Sequence, residues 1–390
     1  MSLYGRTGLQ KSLNYEILVD IDSLASNLNI FLWGSGETGQ EFYSFLKTSR
    51  PEINVIGFID SFKHGECMGL PIYKPDEIKK HENVSLIITS MFWGEISNTV
   101  EKVYLKKFKI LSNSLLNYCS HLRSFGNFYF DTSDIPSLED RLSFILPSFK
   151  SNKDREIFKT LFDLRVNKDE SSFMSYTYDL CNKQKLSYQN KDKYTSHINF
   201  ETIQNAIEGG VYDGEDTYNL LRILGKQKLF KKLYAFEPFI DAFNSGEYFK
   251  MIDFKKCEIL QNVLWDSCGK VAFNVDINNP GNSSILSGEE LDTSNLNNYD
   301  SVTIDSFAES REISIDLIKL DVEGAEMNIL RGAEHSIAKN KPNLAISIYH
   351  RKEDLFEIPE LLLKLNPDYK FTMSVSGPSF IDMVLYAKSN

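Results

Sequence analysis

Short apolar runs and helix-spaced apolar positions alternate in two separate series along the chain. The first series opens on NIFLW at 29–33, continues with helical spacing through Phe42, Phe45 and Leu46, and then gives VIGFID (55–60), LIITS (86–90) and KFKILS (107–112). The second starts near residue 203. Its strand candidates are QNAIEG (204–209), KLYAFE (232–237), EILQNVL (258–264), DLIKLD (316–321), LAISIYH (344–350), YKFTMS (369–374) and FIDMVLYA (380–387). Helical patterns fit 215–225, 239–250, 326–340 and 354–365. Apolar runs alternating with helices predict parallel strands covered on both faces. Only a short loop containing Gly377-Pro378 separates the last two strands, which predicts an antiparallel edge hairpin.

Between the series, 138–149 and 155–165 have helix-like spacing, and 166–198 is rich in Lys, Asn, Ser, Asp and Tyr. The chain therefore reads as α/β, with two Rossmann-like doubly wound units joined by a helical connector. The predicted bounds are an N-terminal segment at 1–28, a first unit at 29–118, the connector at 119–199 and a second unit at 200–390.

A length of 390 residues also favours more than one core. The formal charge of −11 argues against a nucleic-acid partner, which needs a basic surface. Five cysteines without CxxC spacing fit a reducing compartment and no structural zinc. No apolar run approaches the ~20 residues of a membrane span. A cytoplasmic protein is the expectation.

In a doubly wound sheet, ligands lie beyond the carboxyl ends of the strands, where the strand order reverses. The first strand of the second unit runs into Glu208, Gly209, Gly210, Val211, Tyr212, Asp213 and Gly214. Bare glycines let backbone approach a ligand. The carboxylates Glu208, Asp213, Glu215 and Asp216 would repel a pyrophosphate and attract a cation. Glu237, after the next strand, can accept both hydroxyls of a ribose. An acidic glycine loop with a ribose-reading acid suits S-adenosylmethionine, and a dinucleotide site with incidental acids is the other reading. Leu264 and Trp265 are candidates to flank the adenine.

Residues 200–388 resemble the FkbM-family class I S-adenosylmethionine-dependent methyltransferases. The resemblance is carried by IEGGVYDGEDT (207–217), AFEP (235–238), NVLWDSCGKVAF (262–273), NSSI (282–285), VTIDSF (302–307), IDLIKLDVEGAEMNILRGA (315–333) and KPNLAISIYHRKEDL (341–355). It implies a seven-stranded methyltransferase sheet, in agreement with the strand count. Many relatives carry Asp where this chain has Glu208, so contact with the methionine amino group would be water-mediated or re-aimed. In this fold LIKLD lies beside the first strand, and Asp321 projects into the crevice where donor and acceptor meet. Glu323 sits on the following turn, Gly324 permits that turn, and Glu326 reads as a dipole-favouring residue of the first helical turn. His350 ends the fifth strand on the same rim. Its place on the rim and an ordinary pKa of about 6.5 suit His350 as general base, with a merely hydrogen-bonded rim histidine as the other reading; Asp321 would orient the histidine or the acceptor hydroxyl, and Glu323 is a further catalytic candidate. Asp321 and Glu323 could also hold a divalent metal.

Gly34, Gly36 and Gly39 satisfy GxGxxG between a strand and a helix, and Asp60 ends the next strand. The run from NIFLWGSGETGQEF through GFIDSFKHGECMGLPIYKPDEI resembles the N-terminal Rossmann-like domain of bacterial sugar O-acyltransferases. That resemblance implies a site for a nucleotide-linked sugar, and a degenerate packing domain is the alternative. The combined expectation is an O-methyltransferase acting on a carbohydrate or sugar-nucleotide-like hydroxyl, in polysaccharide biosynthesis or a related pathway. The competing expectations are an NAD-dependent sugar-nucleotide oxidoreductase-like protein and a non-enzymatic two-domain scaffold. The partners this allows are a carbohydrate or other small-molecule acceptor, a sugar nucleotide and a second copy of the chain.

Overall fold

The computed structural model describes residues 15–18, 24–81, 84–90, 96, 108–111, 130, 135–167, 176, 180, 193–240, 247–274, 284–285, 296–376 and 383–389. The chain divides into two compact units. One comprises Met1–Thr132, Leu161–Tyr188 and Val375–Ile381; the other comprises Ser133–Thr160, Gln189–Ser374 and Asp382–Asn390. The Gly377-Pro378 turn and the Asn282-Ser283 part of the NSSI segment lie outside the described residues.

In the first unit, β1 (Tyr15–Leu18), β2 (Asn29–Trp33), β3 (Asn54–Ile59), β4 (Gly65–Cys67), β5 (Leu70–Tyr73), β6 (Ser85–Ile88) and β7 (Phe108–Leu111) form one sheet. Its order is β1-β7-β6-β2-β3-β5-β4. β2 is parallel to both β3 and β6, so the strand order reverses at the end of β2, where the glycine loop lies. One face buries Phe31, Trp33, Ile59 and Ile88, and the other buries Ile30, Leu32, Phe42, Leu46 and Phe58. That two-sided burial is why NIFLW reads as a continuous apolar run. β1 falls within the segment expected to precede the unit, and it pairs with β7.

In the second unit, β8 (Asn205–Gly209), β9 (Lys232–Phe236), β10 (Cys257–Leu260), β11 (Val263–Leu264), β12 (Gly269–Asn274), β13 (Ser284–Ile285), β14 (Leu296–Val302), β15 (Leu317–Leu320), β16 (Asn343–Ser347), β17 (Tyr369–Val375) and β18 (Met383–Ser389) follow in chain order. Seven of them form a mixed sheet in the order β10-β9-β8-β15-β16-β18-β17. β18 is antiparallel to β16, so the reversed strand lies one place in from the edge. β15 pairs in parallel with β8, and the strand order reverses between them.

Two expectations need correction. EILQNVL is not one strand: β10 pairs with β9, whereas β11 pairs with β14 in a separate four-stranded sheet, β11-β14-β12-β13. The chain leaves one sheet for the other at the polar pair Gln261–Asn262. The helical pattern at 326–340 is two helices, Glu326–Arg331 and Glu334–Asn340. The break falls at Gly332, where a Cβ would lie 2.2 Å from the Trp265 carbonyl oxygen, so the backbone of the crossing segment occupies that space. Of the pattern at 239–250, residues 241–246 lie outside the described set, and a short 3-10 turn covers Phe249–Met251. Among the described residues no helix is long and apolar enough to cross a membrane.

The helix Glu215–Leu224 starts at Gly214, with Glu215 and Asp216 in its first turn, and buries Leu220, Leu221 and Leu224. Acids there face the positive end of the helix dipole.

Candidate active site

The loop after β8 is built by hydrogen bonds before any ligand is considered. Gly210 has φ 82° and donates its N–H to the Phe236 carbonyl at 3.2 Å. A Cβ at Gly210 would lie 1.8 Å from the Asp321 carbonyl oxygen. Its bare Cα therefore accommodates the neighbouring strand end, which corrects the expectation that it clears room for a ligand. The N–H groups of Val211 and Tyr212 both donate to Glu237 Oε2 at 3.2 Å, and that of Phe239 donates to Oε1 at 3.0 Å. Burial raises the Glu237 carboxyl above its ordinary range, against these donors and Lys319. Oε2 is thus filled by two donors, and Oε1 keeps a lone pair for a further donor.

Tyr212 is half exposed at φ 49° on the loop. Asp213 Oδ1 accepts the Glu215 N–H at 3.0 Å, so this acid starts the helix. Leu264 is buried, and a Cβ at Gly209 would come within 3.4 Å of its Cδ1; it packs beneath the loop and is not free to flank an adenine. Trp265 donates its N–H to the Val302 carbonyl at 3.0 Å.

Glu208 does not face the crevice. Its side chain is 0% exposed, and Lys319 Nζ lies 3.1 Å from Oε1. The contact with a methionine amino group expected of Glu208 is replaced by this buried pair, because an unpaired carboxylate cannot be held so deep. The Lys319 ammonium also donates to the Gly210 carbonyl at 2.9 Å. Burial opposes its charge, but Glu208, Asp216 and Asp321 outweigh burial and raise its pKa.

Asp321 and His350, from the ends of β15 and β16, do meet. Asp321 Oδ1 accepts the Tyr349 hydroxyl at 3.1 Å, and Oδ2 accepts the Tyr194 hydroxyl at 2.5 Å. Lys193 Nζ is 3.6 Å from Oδ2. Burial opposes the Asp321 charge, but Lys193, His350, Lys319 and the Tyr194 hydroxyl hold its carboxyl well below the usual range. His350 Nδ1 lies 2.8 Å from Glu326 Oε1, and its Nε2 lies 3.6 Å from Asp321 Oδ1 and 3.5 Å from Glu323 Oε2. Burial favours the neutral ring, yet Glu326, Glu323 and Asp321 raise His350 to about 10.

That environment contradicts the general-base expectation for His350: a ring already protonated at neutral pH has no lone pair to offer. Glu323 is the outermost member of the group, with its side chain 39% exposed and a backbone φ of 51°. Partial burial, helped by Asp321 and Glu326 and opposed by His350, raises it to about 7. Glu326 does more than favour the helix dipole. It is fully buried, its Oε1 accepts the Val322 N–H at 2.9 Å, and it faces His350.

Asp321, Glu326 and His350 each offer a donor atom within 4.8 Å of the others, a spacing that could hold a cation. Glu326, not Glu323, completes that set among the described residues. Two of its three donors already face each other across the 2.8 Å contact.

Sequence reasoning missed Lys193, Tyr194, Tyr349 and Lys319. Tyr194 lies in the segment read as connector, where the polar composition gave no sign that its ring would be buried over Asp321 and Lys319. Lys319 did leave a sign: a lysine inside the apolar run LIKL is a buried charge that requires a partner.

In the first unit, Gly39 packs so closely that a Cβ would lie 1.9 Å from the Gly34 carbonyl oxygen, while Gly36 has open space beside it. Asp60 Oδ2 accepts the Ser35 hydroxyl at 2.6 Å and the Ser35 N–H at 3.2 Å; Oδ1 accepts the N–H groups of Phe62 and Lys63. Asp60 thus organises the glycine loop.

Residues 208–372 match the model of the methyltransferase FkbM domain, and they carry that domain. Residues 26–111 match a second model, described as C2185-like, N-terminal. No curated protein matches the sequence significantly. The crystal structure of methyltransferase FkbM from Methylobacillus flagellatus KT is similar at 17% identity and TM-score 0.53, over 93% of this chain and 90% of that one. It shares the fold. A fibrillarin/Nop5p complex (14% identity, TM-score 0.31, 52% of this chain and 81% of that one) is a more distant match. So is human N-acetylserotonin methyltransferase in complex with S-adenosylmethionine (10%, 0.29, 70% and 70%). Neither of these two similarities bears on function. The FkbM domain match supports S-adenosylmethionine-dependent methyl transfer by the second unit.

Proposed function

We propose that residues 200–390 form an S-adenosylmethionine-dependent O-methyltransferase acting on the hydroxyl of a carbohydrate or sugar-nucleotide-like acceptor. The observation that carries this reading is the set of acids at the β8–β15 reversal, where Glu237 is held by the loop amides while Asp321 and Glu323 follow the neighbouring β15. Glu237 fits a ribose hydroxyl, since its carboxylate is ordered by amides and Oε1 retains acceptor capacity. Tyr212 presents an exposed ring on the same loop. When bound, S-adenosylmethionine supplies a methyl group on a sulfonium centre.

Within this reading, Glu323 takes the proton of the acceptor hydroxyl, because its pKa near 7 lets it be ionised at neutral pH and still hold a proton. His350 keeps a fixed positive charge behind Glu323 and Asp321, and Asp321, ordered by Tyr194 and Tyr349, orients the acceptor. A sugar-like acceptor is supported only by the first unit, whose Gly34, Gly36 and Gly39 loop would receive a nucleotide-linked sugar. Asp60 is committed to that loop and would not read a ribose directly.

A second reading, a divalent cation on Asp321, Glu326 and His350, is favoured by their mutual spacing. Transfer of labelled methyl from S-adenosylmethionine to a panel of sugars and nucleotide sugars tests the proposal, with and without EDTA. Methylation of a hydroxyl that survives EDTA supports the first reading, loss with EDTA supports the second, and methylation of nitrogen or carbon alone overturns both.

A further inference from the structure

Lys319 is the one charge inside β15. The β15–β8 register sets it directly across from Glu208, so both side chains leave the sheet on the same face. Its ammonium meets the Gly210 carbonyl at 2.9 Å, Glu208 at 3.1 Å and, farther off, Asp216 at 3.8 Å at the start of the following helix. The Tyr194 ring closes over it, with Nζ 4.7 Å from the ring centroid. Nothing in the methyl-transfer chemistry requires a buried cation here, and a positive charge beneath the binding site of a sulfonium would be repulsive unless neutralised.

The geometry points to Lys319 as a positioning residue of the donor site, which pins the Gly210 carbonyl and so aims the Val211 and Tyr212 amides at Glu237. The chain of contacts is continuous. Lys319 fixes the carbonyl of Gly210, and the next two amides donate to Glu237 Oε2 at 3.2 Å each. Glu208 acts as the counter-charge that makes the buried ammonium tolerable. This assignment rests on the donor-site reading above, in which Glu237 holds the ribose.

The test separates aiming from mere stability. Lys319→Met strands Glu208 without a partner and lowers the melting temperature. The double variant Lys319→Met/Glu208→Gln removes the stranded charge and recovers much of that loss. If Lys319 aims the loop, the double variant still binds S-adenosylmethionine roughly tenfold or more weakly than wild type in isothermal titration, the size expected for a lost charge-assisted hydrogen bond. Hydrogen–deuterium exchange over 208–216, which needs no ligand, is also faster in the double variant. Wild-type exchange in that peptide, together with wild-type donor affinity, overturns the assignment. A wild-type protein that binds no donor sinks the donor-site reading instead, and faster exchange in the double variant still establishes that Lys319 pins the loop.

Discussion

His350 Nδ1 lies 2.8 Å from Glu326 Oε1, with both side chains almost wholly enclosed. Because Glu326 Oε1 already accepts the Val322 N–H, the protonated ring is the natural donor in this pair. The contact joins the segment after β16 to the start of the helix Glu326–Arg331 that follows β15, so one charge pair ties together the two segments that carry the rim residues.

A pH dependence of stability follows from it. The His350 pKa is raised from an ordinary 6.5 to about 10 in the folded protein. Its contribution is therefore fully present below about 6.5 and is lost as pH rises through 10. Thermal unfolding of the wild type between pH 6 and 10 should show a decline that His350→Gln flattens. Parallel curves for the two proteins would contradict the ion pair.

Activity should run the other way. Glu323, raised to about 7, must be ionised to take a proton, so turnover should rise with pH through 7 toward a plateau. Glu323→Gln should lower kcat by about a hundredfold while leaving donor affinity within twofold of wild type. His350→Gln, assayed beside it, should change the position of this pH profile more than its height.

Gly210→Ala is expected to be severe. The new Cβ would meet the Asp321 carbonyl at 1.8 Å in a backbone conformation with φ 82°. Relief requires β8 and β15 to part at the site itself, and a loss of at least about 3 kcal/mol should appear in denaturant unfolding. The same change at Gly36, which has open space around it, should cost under about 1 kcal/mol.

Much of the fold is legible in the sequence because buried parallel strands write themselves as apolar runs: NAIEG, KLYAF and LIKL lie within predicted strands, and NLAIS begins one residue before its predicted strand. The turn at Asp321–Glu323 is legible because charged residues end so apolar a run, and β15 stops at Leu320. The four-stranded sheet is not legible, since LNNYDSV and GKVAFN lack a continuous apolar run, and their pairing depends on contacts distant in sequence. The protonation states were also hidden. A histidine at a strand end suggests a base, but its charge is decided by Glu326, Glu323 and Asp321 converging on it, which no linear spacing reveals. Glu208 illustrates the same point, because its partner Lys319 lies more than a hundred residues away and turns a rim acid into a buried pair.

Isothermal titration of S-adenosylmethionine into the wild type and into Glu237→Ala bears most directly on the acidic crevice as a donor site. One donor should bind per chain, and the variant should bind it at least tenfold more weakly while keeping the wild-type melting temperature to within a few degrees. No binding to the wild type, or equal affinity for both proteins, would contradict the account.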